Sequence, residues 1–486
     1  MDMTVKDGTP GASTCATEKP SARNFVFPHI FSILVGLIAV AAIATHIIPA
    51  GEYQRIATDD GRSRIDPDTF RFIDSAPAGI LDFLTAVPRG VVSASAVVIF
   101  VLVTGGMFMV LRSTGIIGIA VDRLGRRFAN NSLLMIAVLM AIFAFIASII
   151  GTSELSLVYI PVILPLLIAL GYDSVTAAAV ALCATAAGFT AGVLNPFTTG
   201  LGQEIAEVDR YSGALVRLLV LAALVGSATW FVLRYARKVR RDPSLGLLAN
   251  DDKEAAKRNE YRDVLIADPP HMTVRHKLAA AATAIGFAVM IFGVVRLGWF
   301  MVEMAGVFIG IGIVVGLIAG LTPTAISEAF ERGFREVLLG ALIAGVARGV
   351  AVILEDGQIM DTIVYGIGNA VSGMPVALAA LGMFVSQLLF NFVIPSGSGQ
   401  ALVTMPIMAP LSDVLDVTRQ TAVLAFQFGD GLGNILFPTS GYFMAALAIA
   451  GVPWQKWVRF YLPLFAAWCG IAVVFLLVTQ AIGWNG

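Results

Sequence analysis

Four clusters of glycine and short polar residues interrupt otherwise apolar sequence, and they hold the residues best suited to chemistry. The first is Gly151-Thr152-Ser153-Glu154. The second runs from Gly188 to Gly192 and on through Asn195-Pro196-Phe197-Thr198-Thr199-Gly200. The third is Pro395-Ser396-Gly397-Ser398-Gly399-Gln400. The fourth runs from Gln427 through Asp430 to Asn434 and on through Pro438-Thr439-Ser440-Gly441. In a lipid-exposed helix such residues would be costly, because the bilayer offers no water to satisfy them. A helix broken inside a membrane leaves bare N–H groups at one new end and bare carbonyls at the other. The first end attracts anions and the second attracts cations. Glycine lets backbone approach a ligand, and Ser, Thr and Asn add short donors and acceptors. The competing reading is that these clusters merely let helices pack closely. Their symmetric placement favours a binding site. The candidates for substrate or ion contact are Thr152, Ser153, Glu154, Asn195, Thr198, Ser396, Gly397, Ser398, Gly399, Gln400, Asp430, Asn434, Thr439 and Ser440.

Glu154 and Asp430 need a reason to be there, since ionisable groups within apolar spans are usually functional. They could carry a coupling proton, help hold Na⁺, or balance a cationic group of a solute. Ser153, Asn195, Ser398 and Asn434 are the candidates for holding a coupling Na⁺; no other cofactor is expected. Arg348, Glu355, Asp356 and Asp361 form a separate polar set and read as internal ion pairs. His29 and His46, near the ends of the first span, read as interface or packing residues. Cys15, Cys183 and Cys469 are scattered and make no disulfide or metal framework.

The elements that position these residues follow from composition. Of 486 residues, 57% are hydrophobic and 13% charged, with a mean hydropathy of +0.84. Too little polar surface remains for a soluble domain, and several apolar stretches reach the roughly 20 residues that cross a bilayer as helix. The expected fold is an all-α polytopic membrane protein. Residues 1–25 read as a disordered cytoplasmic tail and 26–236 as a first half. The basic segment 237–277 reads as a cytoplasmic linker by the positive-inside rule, and 278–486 as a second half. Arg123, Arg126 and Arg127 mark another cytoplasmic loop. Spans are expected near 27–48, 91–112, 174–194, 213–236, 278–295, 301–321, 337–354, 419–437 and 458–482. Blocks 131–170 and 376–412 are broken in the middle. Charge alone does not separate two crossings from a re-entrant hairpin in the first block; its short second arm with Pro161 and Pro165 favours the hairpin. This makes nine transmembrane helices plus two re-entrant hairpins.

The two halves are related. A shift of 245 residues lays 130–177 on 375–422 without a gap, matching Ser153 to Ser398, Pro161 to Pro406, Pro165 to Pro410 and Thr176 to Thr421. One extra span before the second unit gives it the opposite sense across the membrane. Inverted repeats around a midplane site are a recurrent design of secondary transporters. A channel would instead need a continuous polar pore. An intramembrane enzyme is not expected: there is no HExxH, and His29, His46, His271 and His276 lie outside every tip and break. No nucleic-acid partner is expected.

The motifs GTSELSLVYIPVILPLLIALGYDS, LNPFTTG, ARGVAVILEDGQIMDTI, IPSGSGQALVTMPIMAPL and AFQFGDGLGNILFPTSG, with the early HIIPAGEYQR, resemble the bacterial YfcC-type carriers. These are grouped with the anaerobic C4-dicarboxylate (DcuC-like) carriers and, more distantly, with the ion-transporter superfamily. The likeness covers about 25–482, apart from the linker. It implies an inner-membrane homodimer with a scaffold and a moving, elevator-like domain that carries both hairpins. It leaves open whether the solute is a dicarboxylate, a short-chain fatty acid or an arginine/ornithine pair. A Na⁺/H⁺ antiporter without organic solute is the alternative.

Overall fold

The computed structural model describes residues 30–57, 63–117, 119, 123, 131–266, 272–297, 299 and 301–486. The tail of residues 1–25 with Cys15, and also His29, His271, Arg126 and Arg127, lie outside the described residues. Eighteen helices account for most of the rest. The first half contains α1 (Ile30–Ile47), α2 (Ile80–Ser93), α3 (Ser95–Ser113), α4 (Ser132–Ile150), α5 (Leu155–Ala169), α6 (Ser174–Ala191), α7 (Thr199–Ile205) and α8 (Ala214–Arg241). The linker folds as α9 (Asp252–Ile266). The second half contains α10 (Val274–Leu297), α11 (Met301–Ala319), α12 (Pro323–Asp356), α13 (Met360–Ser372), α14 (Val376–Val393), α15 (Gly397–Val414), α16 (Arg419–Gly433), α17 (Gly441–Ala450) and α18 (Trp454–Ala481). Between α1 and α2, β1 (Gly51–Glu52) pairs antiparallel with β4 (Arg71–Phe72), and β2 (Arg55–Ala57) with β3 (Ser63–Ile65).

Among the described residues, eight helices are long and apolar enough to cross a membrane: α3, α4, α6, α8, α10, α11, α12 and α18. Seven of these are expected spans; the eighth, α4, is the first arm of the first hairpin. α1 is shorter within the described residues, and α16 stops at Gly433, where the chain breaks. Exposed Val40, Leu215, Trp230, Phe292 and Val474 lie on the outward faces of these helices, as a lipid-facing surface requires. The core is formed by the two broken helices. All of α6 is buried, as is α16 from Gln420 to Gly433.

The two expected halves pack in a similar way. α6 packs on both arms of the first hairpin, α4 and α5, as α16 packs on α14 and α15. The short helix after each break crosses to the other half, α7 against α15 and α17 against α5. Before the hairpins, α2 and α3 together span residues 80–113 and α12 spans 323–356 as one helix. The glycines within α6 and α16 serve close packing. A Cβ on Gly188 would stand 2.0 Å from the Ala144 carbonyl oxygen on α4, one on Gly431 2.2 Å from Thr190 Oγ1 on α6, and one on Gly429 2.6 Å from the Leu388 nitrogen on α14. Both helices therefore continue through the glycines expected to break them, and the breaks come later, at 192–198 and 434–440.

The ends of these elements are tied across the halves. Asp173 Oδ1 caps α6 by accepting from Thr176 N at 2.8 Å, and Thr418 Oγ1 caps α16 by accepting from Thr421 N at 3.2 Å. The C-terminal carbonyl of each short helix takes a cation: Arg419 Nη1 donates to Ala206 O at 3.1 Å, and Lys257 Nζ donates to Ala450 O at 2.7 Å. Both obey the preference for positive charge at helix C-termini. Lys257 belongs to the linker helix α9, where burial lowers its pKa against the opposing pull of Glu254 and Asp251. Glu254, also on α9 and buried, accepts from Ser174 N at 2.9 Å and from Ser174 Oγ. One turn of the linker thus holds the start of α6 and the end of α17. Glu254→Ala leaves those donors unsatisfied, which costs about 1–3 kcal/mol. We expect a lower melting temperature in detergent, largely restored in Glu254→Gln, whose amide oxygen still accepts. A melting curve that Glu254→Ala leaves unmoved would remove this role for the linker.

Candidate functional site

The two hairpin tips and the two breaks meet. Gly151 ends α4 with φ +75°, a left-handed conformation natural to glycine, and Glu154 starts α5. In the second hairpin Ser396 caps α15 by accepting from Gly399 N at 3.4 Å. Thr198 precedes α7 and Ser440 precedes α17. Between them lies a cavity of about 570 Å³. Its lining includes Thr152, Ser153 and Glu154 from the first tip and Ser396, Gly397 and Ser398 from the second. Thr198 comes from the first break, and Asn434, Thr439 and Gly441 from the second. The starts of α5, α15 and α17 therefore converge on one space, each with N–H groups that the first helical turn leaves without helical partners.

Five predicted residues stand behind this lining. Asn195 Oδ1 accepts from the backbone N–H groups of Phe197 (2.9 Å) and Thr198 (3.0 Å) and packs against Gly151. Its carboxamide oxygen is committed to shaping the break, so it does not fit as a Na⁺ ligand in this arrangement. Gln400 turns into the second hairpin, where its Nε2 donates to Gln387 O (2.8 Å) and Gln387 Oε1 (2.7 Å). Gly399 and Ser440 do not border the cavity either. Asp430 is fully buried on α16. Its Oδ1 accepts from Asn391 Nδ2 at 3.0 Å and from Asn434 Nδ2 at 3.4 Å. Its Oδ2 has no hydrogen-bond partner among the described residues and lies 2.6 Å from where a Cβ on Gly397 would be. The acid therefore sits directly beneath the second tip.

Four contributors escape a reading of the clusters alone. Asn391 and Gln387 are one helical turn apart on α14, in a stretch read simply as an apolar arm; that i, i+4 pair of amides was the available signal. Tyr442, just past the second break, lines the cavity, and so does Arg348 of α12. The expected ion pairing of its neighbours is observed: Arg348 with Glu355, Arg89 with Asp356, and Arg55 with Asp361. The last pair explains HIIPAGEYQR: Tyr53 N and Arg55 both bond Asp361 and dock the ribbon on α13. His46 Nε2 lies 3.1 Å from Ala78 O, consistent with a packing role. Among the described residues no three His, Cys, Asp or Glu side chains group as a metal site.

The profile of the C4-dicarboxylate anaerobic carriers matches residues 27–481. The chain belongs to the C4-dicarboxylate anaerobic carrier family. Its members are membrane transporters, and the likeness read from the tips and breaks is thereby established over nearly the whole chain. The Escherichia coli (strain K12) protein named "Putative basic amino acid antiporter YfcC" is 31% identical, across 96% of this chain and 99% of its own. A Haemophilus influenzae protein described as uncharacterized is 28% identical, across 94% and 97%. Among solved structures, the YdaH transporter of Alcanivorax borkumensis shares 17% identity with a TM-score of 0.41, covering 94% of this chain and 99% of that one. MtrF of Neisseria gonorrhoeae, described as one of a class of antimetabolite efflux pumps, shares 15% with a TM-score of 0.41, covering 94% and 95%. Within the carrier family, the cavity between tips and breaks is the candidate solute site of this chain.

Proposed function

We propose that this carrier is a secondary active transporter of a small carboxylate-bearing solute, either a C4-type organic acid or an amino acid of the arginine/ornithine kind. The observation that carries this reading is the convergence of three helix starts and both tips on one cavity of about 570 Å³, a size suited to a small solute. Helix starts favour an anionic group. Glu154 and Asp430 supply negative charge for a cationic group or a coupling ion. Na⁺, if it is the coupling ion, is served by the hydroxyls of Ser153 and Ser398 and by Asp430; a proton would be carried by Asp430 or Glu154. The two halves work as inverted repeats, and the hairpins with α6 and α16 move as a unit past α2, α3 and α12 in an elevator-like alternation of access. The protein acts as a homodimer in the bacterial inner membrane, with the N-terminus and the linker cytoplasmic. It is a carrier, not an enzyme.

Asp430 Oδ2, without a hydrogen-bond partner among the described residues, gives the second reading, a Na⁺/H⁺ antiporter, its specific support. Uptake into proteoliposomes under imposed Na⁺, H⁺ and counter-solute gradients separates the two. We expect saturable uptake of at least one of succinate, fumarate, butyrate, arginine or ornithine, accelerated by solute inside. Cation exchange with none of these moving would establish the antiporter instead.

A further inference from the structure

Among the described residues that line the cavity, Arg348 is the one cation and Glu154 the one carboxylate. The guanidinium enters from α12, which belongs to neither hairpin and to neither broken helix. Its own pairing is loose. Nε donates to Ser93 Oγ at 3.2 Å and Nη2 to Glu355 Oε1 at 3.1 Å, a single-point contact in which the side chains are 31% and 47% exposed. By contrast Arg55 Nη2 donates to both oxygens of Asp361, at 2.8 and 2.9 Å, and that acid is only 8% exposed. Arg89 likewise meets both oxygens of Asp356. A forked contact, as in Arg89 with Asp356, or a shielded acid, as in Arg55 with Asp361, makes the stronger pair, whereas a single-point, water-exposed pair contributes little. The Glu355 carboxylate can therefore be displaced by another.

The place of the pair adds a second observation. An adjoining cavity of about 400 Å³ is lined by Arg89, Ser93, Glu355 and Asp356, and it shares Ser93 with the solute cavity. Arg348 thus borders the space that holds the tips, and its partner Glu355 borders the second space, between α2 and α12.

We propose that Arg348 anchors the carboxylate of the solute, exchanging Glu355 for it, while Glu154 receives the solute's ammonium, so that the site is built for an amino acid. This rests on the carrier reading above and narrows it. A dicarboxylate held by Arg348 would turn its second carboxylate on Glu154, like charge against like, whereas an amino acid presents opposite charges to both.

The test is counterflow in proteoliposomes of the full chain, using labelled arginine, its decarboxylated analogue, and succinate. Wild-type protein is expected to take up arginine and to disfavour the decarboxylated analogue by tenfold or more. Arg348→Gln should raise the arginine half-saturation concentration at least tenfold and bring the discrimination close to one. Glu355→Gln should leave arginine uptake intact or lower its half-saturation concentration, because the competing carboxylate is gone. The ratio of the two solutes is the deciding readout, since a purely structural Arg348 would weaken both equally and leave the ratio unchanged. That outcome overturns the proposal, as does wild-type uptake of succinate without arginine, which leaves the carrier reading standing. If no Arg348 variant folds, wild-type uptake that ignores the carboxylate overturns it as well. Absence of any solute movement, with cation exchange present, overturns both readings together.

Discussion

Asp430→Asn is expected to abolish solute uptake, by at least 100-fold, while leaving a folded protein in the membrane. The substitution keeps the shape of the side chain and removes its charge. The new amide oxygen can still accept from Asn391 Nδ2 and Asn434 Nδ2, as Oδ1 does at 3.0 and 3.4 Å, so the contacts between α14 and α16 survive. What disappears is the second oxygen, which is buried, without a hydrogen-bond partner among the described residues, and directed at Gly397. A bare carboxylate oxygen in a fully buried position is costly. On the proposed function, that cost is recovered when the coupling cation or the solute arrives at the second tip. Two measurements together decide: uptake in proteoliposomes and the melting temperature in detergent. We expect lost uptake with an unchanged or higher melting temperature, because removing an uncompensated buried charge relieves the resting protein. Wild-type uptake in Asp430→Asn would remove the acid from the mechanism.

The parts of this site that were legible in sequence share one property: they interrupt a pattern. Ser153 and Ser398, and the proline pairs at 161/165 and 406/410, break long apolar blocks at matching positions. The structure puts both tips at the same cavity. Glycine was harder to read, because one residue type serves two physical ends. Gly188, Gly429 and Gly431 let helices approach within an unbroken helix, while Gly192, with φ +53°, ends one. Only the path of the backbone separates these uses. Arg348 was hidden for a different reason. Its spacing from Glu355 announces an ion pair, and the pair exists. Nothing in the sequence says that α12 passes beside a cavity formed by hairpins at 151–154 and 395–398. The split of α2 from α3 at Ala94 was equally silent, although Ser93 beside it bonds Arg348.

The second tip gives the sharpest contrast between neighbouring residues. Gly397→Ala is expected to reduce uptake more than tenfold, whereas Gly399→Ala should stay within about twofold of wild type, the margin ordinary surface changes allow. A Cβ on Gly397 would stand 2.5 Å from Thr198 Cγ2 and 2.6 Å from Asp430 Oδ2. Both distances are well inside van der Waals contact, so the tip would have to lift away from the first break and from the acid together. A Cβ on Gly399 would meet Ser396 Oγ at 3.1 Å and Ser396 Cβ at 3.4 Å, which a small rotation of one serine absorbs, and Ile394 Cγ2 at 3.8 Å, an ordinary van der Waals contact. Both changes lie in the first turn of α15, where the loss of chain entropy on folding is similar and alanine is the better helix former. Backbone propensity therefore cannot produce the difference; only the contact with Thr198 and Asp430 can. The clash also predicts which parameter changes. If Asp430 works through the space beneath Gly397, Gly397→Ala should weaken the dependence of uptake on the coupling-ion gradient as well as its rate. Equal loss in both alanine variants would show that the tip needs flexibility as such, and the close approach of Gly397 to Asp430 would then have no part in transport.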